Sequence, residues 1–158
     1  QELSAENLGP YFQQRYRGRG LARIDWNRDG REDFIVSHLD APAALLTNQT
    51  KEHGNYLAVQ LVGTTSSRDG IGSRVTVTSG DNTWTAQLTA GDGYQASNQR
   101  QLVFGLGKVQ QLETVRIDWI SGTSNTFTEV PVNSTIRIVE GAADYYHLPS
   151  NQAVLSQP

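Results

Sequence analysis

Residues 25–33 bring oxygen-bearing side chains together at a spacing that suits a metal ion. The candidate side-chain ligands occupy the first, third, fifth and ninth positions of this segment: Asp25, Asn27, Asp29 and Asp33. Gly30 stands at the sixth position, where the chain must turn sharply, and Arg31 at the seventh offers its backbone carbonyl. Because Ca²⁺ takes about 6–8 oxygen ligands from a tight loop, this spacing predicts a calcium site. We call residues 25–33 the acidic loop.

The acidic loop differs from an EF-hand in its flanks. An EF-hand loop ends on a bidentate Glu at its twelfth position, whereas here that position is Val36 within an apolar segment. Both flanks alternate in the manner of strands, which predicts a β-hairpin around the loop. Mg²⁺ suits the loop less well because it keeps several of its waters. The alternative is a metal-free turn rich in Asp and Asn, held by hydrogen bonds between side chains and backbone.

Short strands are the elements that must position this loop. Apolar and polar residues alternate along most of the chain, and Gly, Asp, Asn and Ser separate the runs. The expected strands cover residues 20–25, 33–38, 44–46, 56–62, 74–78, 83–89, 101–104, 114–120, 126–130 and 135–139. This pattern predicts an all-β chain, an antiparallel β-sandwich or jelly-roll-like module with an N-terminal β-hairpin that carries the calcium loop. The expected core consists of Val59, Leu61, Val75, Val77, Val115, Ile117, Trp119, Ile136 and Ile138.

The composition excludes several classes of protein. The chain has 158 residues, a formal net charge of −3 and no cysteine, so neither a basic nucleic-acid surface nor a disulfide or cysteine–zinc site is expected. No apolar run reaches the ~20 residues of a membrane span. Only 18% of the residues are charged, against about 25% in an average soluble domain. The surplus of small polar residues favours a secreted or cell-surface β-module, in a bacterial periplasm or outside the cell.

Three segments are expected along the chain. They are a calcium-loop repeat with an N-terminal extension (1–50), a sandwich module (51–141) and a C-terminal tail (142–158). Residues 10–16 form a weak helix candidate, since Pro10 suits a first helical position. The tail has few apolar residues, which predicts a draped or disordered segment. The sequence starts at Gln1 without Met or an apolar leader, so we expect a processed form or, preferably, a fragment of a longer chain.

Two further turns carry side chains that could bind a ligand. Arg68 and Asp69 lie in a glycine-rich turn, where the Arg68 guanidinium could hold an acidic or sugar ligand. Asp92 and Tyr94 could form part of a carbohydrate site, completed by an exposed Trp84. The simpler interpretation is that both segments are tight turns and that the Tyr94 ring packs at the rim of the core.

Several segments resemble known families. Residues 19–48, with the acidic loop, resemble an FG-GAP or VCBS-type repeat of integrin-like β-propellers. The later segments resemble the ASPIC/UnbV domain: NYLAVQLVG at 55–63, SRDGIGSRV at 67–75, GDGY at 91–94 with Asn98, FGLG at 104–107 and VRIDW at 115–119. The resemblance implies the last calcium-binding repeat of a propeller followed by a β-sandwich-like module. Two departures are Asn27, where many such repeats have Asp, and the single repeat, since a propeller needs several four-stranded blades.

The expected function is that of a non-catalytic, calcium-stabilised extracellular module for adhesion, ligand binding or scaffolding within a larger secreted protein. No enzyme is expected, because the three His are scattered and no Ser lies in a nucleophile elbow. The alternatives are a carbohydrate-binding module and a hydrolase or hydrolase-accessory domain. The expected partners are a protein or carbohydrate ligand and the upstream propeller repeats, with neither nucleic acid nor membrane insertion. An isolated repeat leaves a strand edge open, so we expect residues 1–19 or 142–158 to pack across that edge, with self-association as the alternative.

Overall fold

A small three-stranded sheet forms the N-terminal part of the fold. The computed structural model describes residues 9–150. Its first strands are β1 (Gly18–Ile24), β2 (Asp33–His38) and β3 (Ala44–Leu46), antiparallel in the order β1-β2-β3. The helix expected over residues 10–16 shortens to one 3-10 turn, Pro10–Gln13, which no side chain caps and after which the backbone is extended at Gln14. Among the described residues, no helix has the length and apolar character that crossing a bilayer requires.

Two four-stranded sheets make up the rest of the described chain. The first has the order β11-β10-β4-β7 and the second the order β6-β5-β8-β9. Their strands are β4 (Asn55–Val62), β5 (Arg74–Ser79), β6 (Asn82–Gln87), β7 (Leu102–Gly107), β8 (Thr114–Asp118), β9 (Ser124–Phe127), β10 (Ser134–Val139) and β11 (Tyr145–Leu148). Val, Ile and Thr recur in them because β-branched side chains fit a pleated surface. The predicted all-β, sandwich-like fold class is confirmed.

One hydrophobic core lies between these two sheets. Val75 and Val77 of β5 lie opposite Ile117 and Val115 of β8, and all four side chains are fully buried. Every core position expected from the alternation is buried: Val59, Leu61, Val75, Val77, Val115, Ile117, Trp119, Ile136 and Ile138. Full burial of each such aliphatic side chain contributes about 1.5–3 kcal/mol, so this core is the main source of the module's stability.

The pairing around β10 differs from the sequence-based expectation. β10 runs parallel to β4, with Ile136 beside Val59, while the other described strand pairs are antiparallel. β11 pairs with the other edge of β10, so the expectation of a draped or disordered tail from residue 142 is wrong for residues 145–148. Tyr145 explains the difference, because its ring packs against the core, edge-on to Phe127 at 5.5 Å between centroids.

The edge of β1 that faces away from β2 joins the N-terminal sheet to the sandwich. The backbone N–H of Arg23 donates to Asn98 Oδ1 at 2.8 Å, and the N–H of Gln99 donates to the Arg23 carbonyl at 2.9 Å. The N–H of Asp25 donates to Gln99 Oε1 at 2.7 Å. Asn98 and Gln99 of the sandwich therefore cover this edge of β1. The expectation that a terminal segment covers an open edge falls in part on residues 1–8 and 151–158, which lie outside the described part.

Candidate metal centre

The acidic loop connects β1 to β2 and turns its polar side chains inward. The four predicted side-chain ligands are buried, with 0–6% of their surface exposed: Asp25, Asn27, Asp29 and Asp33. Arg28 and Gly30 have positive φ angles of 55° and 79°, which let the chain reverse within a few residues. Because Ile24 pairs with Asp33, the first and last residues of the loop are held close together. The hairpin thus buries the four predicted side-chain ligands within one turn.

Backbone amides of the loop satisfy part of its negative charge. Asp25 accepts the N–H of Asp29 on Oδ1 at 3.0 Å and that of Gly30 on Oδ2 at 3.1 Å. Asp29 accepts the N–H of Arg31 on Oδ1 at 2.9 Å, and its Oδ2 accepts from Asn27 Nδ2 at 2.7 Å. The same Oδ2 forms an ion pair with the Arg31 guanidinium. Arg31 therefore balances one of the three carboxylates.

Asp33 connects the loop to the chain that follows β3. Its Oδ1 accepts the N–H of Asn48 at 2.6 Å, and its Oδ2 accepts the N–H of Trp26 at 3.3 Å. Arg31 Nε donates to the Asn48 carbonyl at 3.0 Å. The loop and the end of the N-terminal sheet therefore form one hydrogen-bonded unit.

Burial raises the pKa of both Asp25 and Asp33. Desolvation is the largest cause in each case and exceeds the opposing effect of the backbone N–H donors. The nearby negative charge of Asp29 raises both pKa values further. The donors of the loop therefore leave the ionised state of these carboxylates incompletely stabilised, and a bound cation would favour it.

Tyr56, on β4, closes the acidic loop on the side of the sandwich. A Cβ atom at Gly30 would overlap the Tyr56 ring, so this close approach requires glycine. The pKa of the Tyr56 hydroxyl is raised, first by burial and then by the charges of Asp25 and Asp29. Beside it, Arg28 Nη1 donates to the Pro149 carbonyl at 3.1 Å. The acidic loop is therefore packed between the N-terminal sheet and the sandwich rather than exposed to solvent.

The oxygen ligands of the acidic loop fit a calcium ion in part. Asn27 Oδ1 is buried and has no hydrogen-bond partner among residues 9–150, so a cation would satisfy it. Carboxylate and amide oxygens are the ligands that Ca²⁺ prefers. Within the same residues, no three His, Cys, Asp or Glu side chains converge closely enough to hold a metal ion. Arg31 occupies an Asp29 oxygen, so a metal ion and this guanidinium compete for the same carboxylate.

The turn that carries Arg68 and Asp69 has the geometry of a tight turn. Both residues are exposed. The N–H of Gly63 donates to the Arg68 carbonyl at 3.0 Å, and a Cβ atom at Gly63 would overlap the Ser67 carbonyl oxygen. The close approach of the Ser67 carbonyl explains why residue 63 is glycine. The structure brings no other predicted ligand residue to this turn.

The predicted aromatic pair is divided between the surface and the core. Tyr94 is 72% exposed, whereas Trp84 lies opposite Val77 on the inner face of β6 and packs against the core. Asp92 Oδ2 lies 3.7 Å from Arg23 Nη2, at the junction with the N-terminal sheet. Trp84 therefore does not form an exposed platform with Tyr94, because strand alternation places its side chain inward.

Glu140, just after β10, is a buried carboxylate that the sequence analysis did not single out. Its Oε2 accepts three consecutive backbone N–H groups at 2.7–2.8 Å, those of Thr64, Thr65 and Ser66. Its Oε1 accepts three hydroxyls at 2.5–3.3 Å, those of Ser66, Ser121 and Thr123. Burial raises the pKa of Glu140, but these hydrogen bonds outweigh it and hold the pKa far below the usual range. We call this group the Glu140 cluster; the available signal in the sequence was an acidic residue directly after the alternating strand Ser134–Val139.

The fold and the site together define a class of protein, a two-sheet β-sandwich module joined to a small β-sheet whose acidic loop is buried at the junction. A family model described as ASPIC and UnbV matches residues 63–144. The chain belongs to the ASPIC/UnbV family. The match starts just after β4 and ends just before β11, so it includes neither the acidic loop nor the N-terminal sheet. No match was found among the curated proteins.

Proposed function

We propose that the chain is a non-catalytic, calcium-stabilised module for adhesion or scaffolding within a larger secreted protein. The acidic loop is the observation that carries this proposal. It buries three Asp and one Asn in one hairpin turn, and the pKa values of Asp25 and Asp33 are raised. At neutral pH such a loop is most stable when a cation offsets the carboxylates, and Ca²⁺ matches their oxygen chemistry.

The residues have distinct parts in holding the ion. Its side-chain ligands would be Asp25, Asn27, Asp29 and Asp33, with the carbonyl of Arg31 as a further ligand. When bound, the ion supplies charge neutralisation and no reaction chemistry. Because the loop packs on Tyr56, an ion that orders the loop also stabilises the junction with the sandwich.

The N-terminal sheet supports the further proposal that it is the last FG-GAP/VCBS-type repeat of a propeller. Phe34 and Ile35 are consecutive in β2, so they point to opposite faces, and each is 38% exposed. Leu21 lies on the same face as Phe34, and Leu45 lies on the same face as Ile35. Leu21 and Leu45 are also exposed. An antiparallel sheet beside solvent usually has one polar face, whereas strands covered on both sides are apolar throughout. Neighbouring repeats would cover these two faces.

Calcium-dependent melting tests the metal site. The free energy of unfolding should rise by about 2.7 kcal/mol when free Ca²⁺ exceeds the Kd about a hundredfold. The Kd itself is expected in the extracellular range of ~10⁻⁴–10⁻³ M. Asp29→Ala should abolish this increment, while Asp118→Ala, at an exposed carboxylate paired with Arg116, should retain it. Equal midpoints in calcium and chelator for the unaltered chain and for Asp29→Ala would refute the calcium site.

Light scattering tests the apolar faces. We expect the chain to self-associate as its concentration rises, because exposed apolar patches associate in water. The double substitution Phe34→Thr with Ile35→Thr should reduce this association. Ile120→Thr, at an exposed residue outside the N-terminal sheet, is the matched control. A monodisperse chain that the double substitution leaves unchanged would count against neighbouring repeats on this sheet.

The other two functions have less support. A carbohydrate platform needs exposed aromatic pairs, and Trp84 is packed against the core. A hydrolase would need two converging carboxylates, such as Asp92 with Asp118, whereas Asp118 is paired with Arg116 at 2.7 Å and does not border the cavity that Asp92 lines.

A further inference from the structure

A cavity of about 110 Å³ lies at the junction of the N-terminal sheet and the sandwich. Its polar lining comes from both parts of the fold: Arg23 and Glu32 on one side, and Asp92, Asn98, Gln99 and Gln101 on the other. Asp25 also borders the cavity, but both of its carboxylate oxygens accept backbone amides within the acidic loop. We call this space the junction cavity; the calcium proposal does not use it.

Gln99 and Gln101, which line the junction cavity, and the adjacent Gln60 have side-chain amides whose orientations are dictated by their partners. The Arg137 guanidinium donates to Gln60 Oε1 at 2.9 Å, so Gln60 Nε2 is left to donate to Gln101 Oε1, also at 2.9 Å. Independently, the Asp25 N–H donates to Gln99 Oε1, which directs Gln99 Nε2 to Gln101 Oε1 at 3.5 Å. A guanidinium and a backbone N–H can only donate hydrogen bonds. The orientation of the Gln101 amide therefore follows from two independent donors.

This arrangement leaves one buried donor unsatisfied. Gln101 Nε2 is buried and has no hydrogen-bond partner among the described residues. Reversing the Gln101 amide would set its NH₂ group against the NH₂ groups of Gln60 and Gln99. A buried donor without an acceptor is costly, and Gln101 lines the junction cavity, so an acceptor oxygen that reaches Gln101 Nε2 from this cavity removes that cost.

The lining narrows the chemistry of the ligand. Metal and ammonium cations have no lone pair to accept from Gln101, and the carboxylates of Glu32 and Asp92 disfavour an anion. The ligand group that best fits the junction cavity is therefore an uncharged oxygen. A hydroxyl can accept from Gln101 and donate its own proton to a carboxylate such as Asp92, whereas a carbonyl can only accept. Arg23 Nη1 donates to Glu32 at 3.2 Å and Arg23 Nη2 lies 3.7 Å from Asp92, so this guanidinium positions both carboxylates beside the cavity.

We propose that the junction cavity binds the hydroxyl groups of a neutral sugar residue at the end of a glycan. The space is smaller than a cavity of about 150 Å³ that holds a benzene ring, so the hydroxyl edge of one sugar enters it rather than the whole ring. Tyr94 follows Asp92 by two residues and is 72% exposed, which offers an aromatic face outside the junction cavity. This function goes beyond calcium-stabilised scaffolding and does not depend on it.

Side-chain amide NMR of the ¹⁵N-labelled chain, kept in calcium, is the direct test. The probes are D-glucose, D-galactose, D-mannose and N-acetyl-D-glucosamine, each titrated to tens of millimolar. Because Gln101 Nε2 is buried without a ligand, binding must draw this amide toward the junction cavity. We therefore expect a saturable shift of the Gln101 NH₂ resonances with at least one sugar. If no sugar shifts them, the junction cavity holds water only and the proposal fails.

Two matched substitutions separate the donor from its surroundings. Gln101→Glu keeps an oxygen that accepts from Gln60 and Gln99 but removes the donor, and it should weaken sugar binding about tenfold or more. Gln110→Glu makes the same charge change at an exposed position and should leave binding unaltered. If Gln101→Glu does not fold, Asp92→Asn, at the exposed rim, replaces it with the same expectation. Equal binding by Gln101→Glu, or by its replacement, and by the unaltered chain would overturn the assignment. Calcium-dependent melting of the same samples reports separately on the metal site.

Discussion

The acidic loop and the Glu140 cluster both bury carboxylates, and their pKa values shift in opposite directions. The pKa values of Asp25 and Asp33 are raised, whereas that of Glu140 is lowered. In all three cases burial is the largest effect and disfavours the charged form. The difference must therefore lie in the donors and charges that surround each group.

The ratio of donors to charges explains the difference. Glu140 is one carboxylate that accepts three backbone N–H groups and three hydroxyls. The acidic loop holds three carboxylates, and two of them have the charge of Asp29 close by. Hydrogen bonds to the charged form lower a carboxyl pKa, and neighbouring negative charges raise it. The Glu140 cluster is thus complete without a ligand, and the acidic loop is the region where a cation adds stability.

Replacing Glu140 should produce the largest effect on stability. Glu140→Gln removes the charge and puts an NH₂ group among donors, which leaves buried N–H and O–H groups without acceptors. We expect Glu140→Gln to lower the melting temperature more than the Gly30 substitution or the pH changes described below. The rise in melting temperature that calcium causes should stay the same. Thermal melts with and without calcium measure both quantities.

Glu113→Gln, at an exposed residue, is the control for the loss of one charge. A melting temperature that falls no further for Glu140→Gln than for Glu113→Gln would break the comparison. It would mean that the hydrogen bonds around Glu140 add little to stability.

Gly30→Ala tests whether the loop depends on its packing against the sandwich. Gly30 has a φ of 79° and its Cβ position overlaps the Tyr56 ring, whereas Gly80 has a φ of 53° and open space around it. Gly80→Ala should cost only the left-handed conformation, about 1–2 kcal/mol. Gly30→Ala should cost a further 1–3 kcal/mol or so from overpacking, and should also weaken calcium binding. Chemical denaturation and calcium titration of the two variants check this, and equal losses would show that the loop does not need its contact with Tyr56.

The pH dependence of the metal-free protein should show the smallest effect, with opposite signs for the two regions. Glu140 has a folded pKa below its unfolded value near 4.5. Its contribution to the free energy of unfolding is therefore fully present above pH 4.5 and is lost as the pH falls below that value. Asp25 and Asp33 have folded pKa values above 3.8, so the folded loop binds more protons and loses stability as the pH rises through the raised values.

Subtracting the unfolding free energies of Glu140→Gln and of Asp33→Asn from that of the unaltered chain isolates each term across the acid range. Two differences with the same sign of slope would contradict the comparison. Added calcium should reverse the slope for the loop only, because the bound ion favours the ionised carboxylates.

Local patterns accounted for the elements and for the contents of the acidic loop. The spacing of Asp25 to Asp33 around Gly30 predicted a hairpin turn, and the structure buries all four oxygen-bearing side chains there. Alternation in β5, β8 and β10 predicted the buried core positions, because a strand directs successive side chains to opposite faces. The expectation of an exposed Trp84 was wrong, because its place opposite Val77 directs its side chain inward.

Other features depended on partners distant in the chain. Asn98 and Gln99 cover the edge of β1 from more than 70 positions away, and Glu140 binds amides 74–76 positions earlier. Tyr145 turns a polar tail into a strand only because Phe127 and the core lie beside it. No local periodicity or spacing records such contacts.

The sequence by itself determined which residues alternate, where the chain turns and which oxygens the acidic loop contains, because these follow from backbone geometry over a few residues. Only the tertiary structure decided which buried carboxylates have enough donors. The pKa of a buried carboxyl depends on every charge and hydrogen bond that the fold brings to it. The acidic loop was therefore recognisable from its own residues, whereas the surroundings of Glu140 became apparent only in the fold, where two other segments meet at this residue.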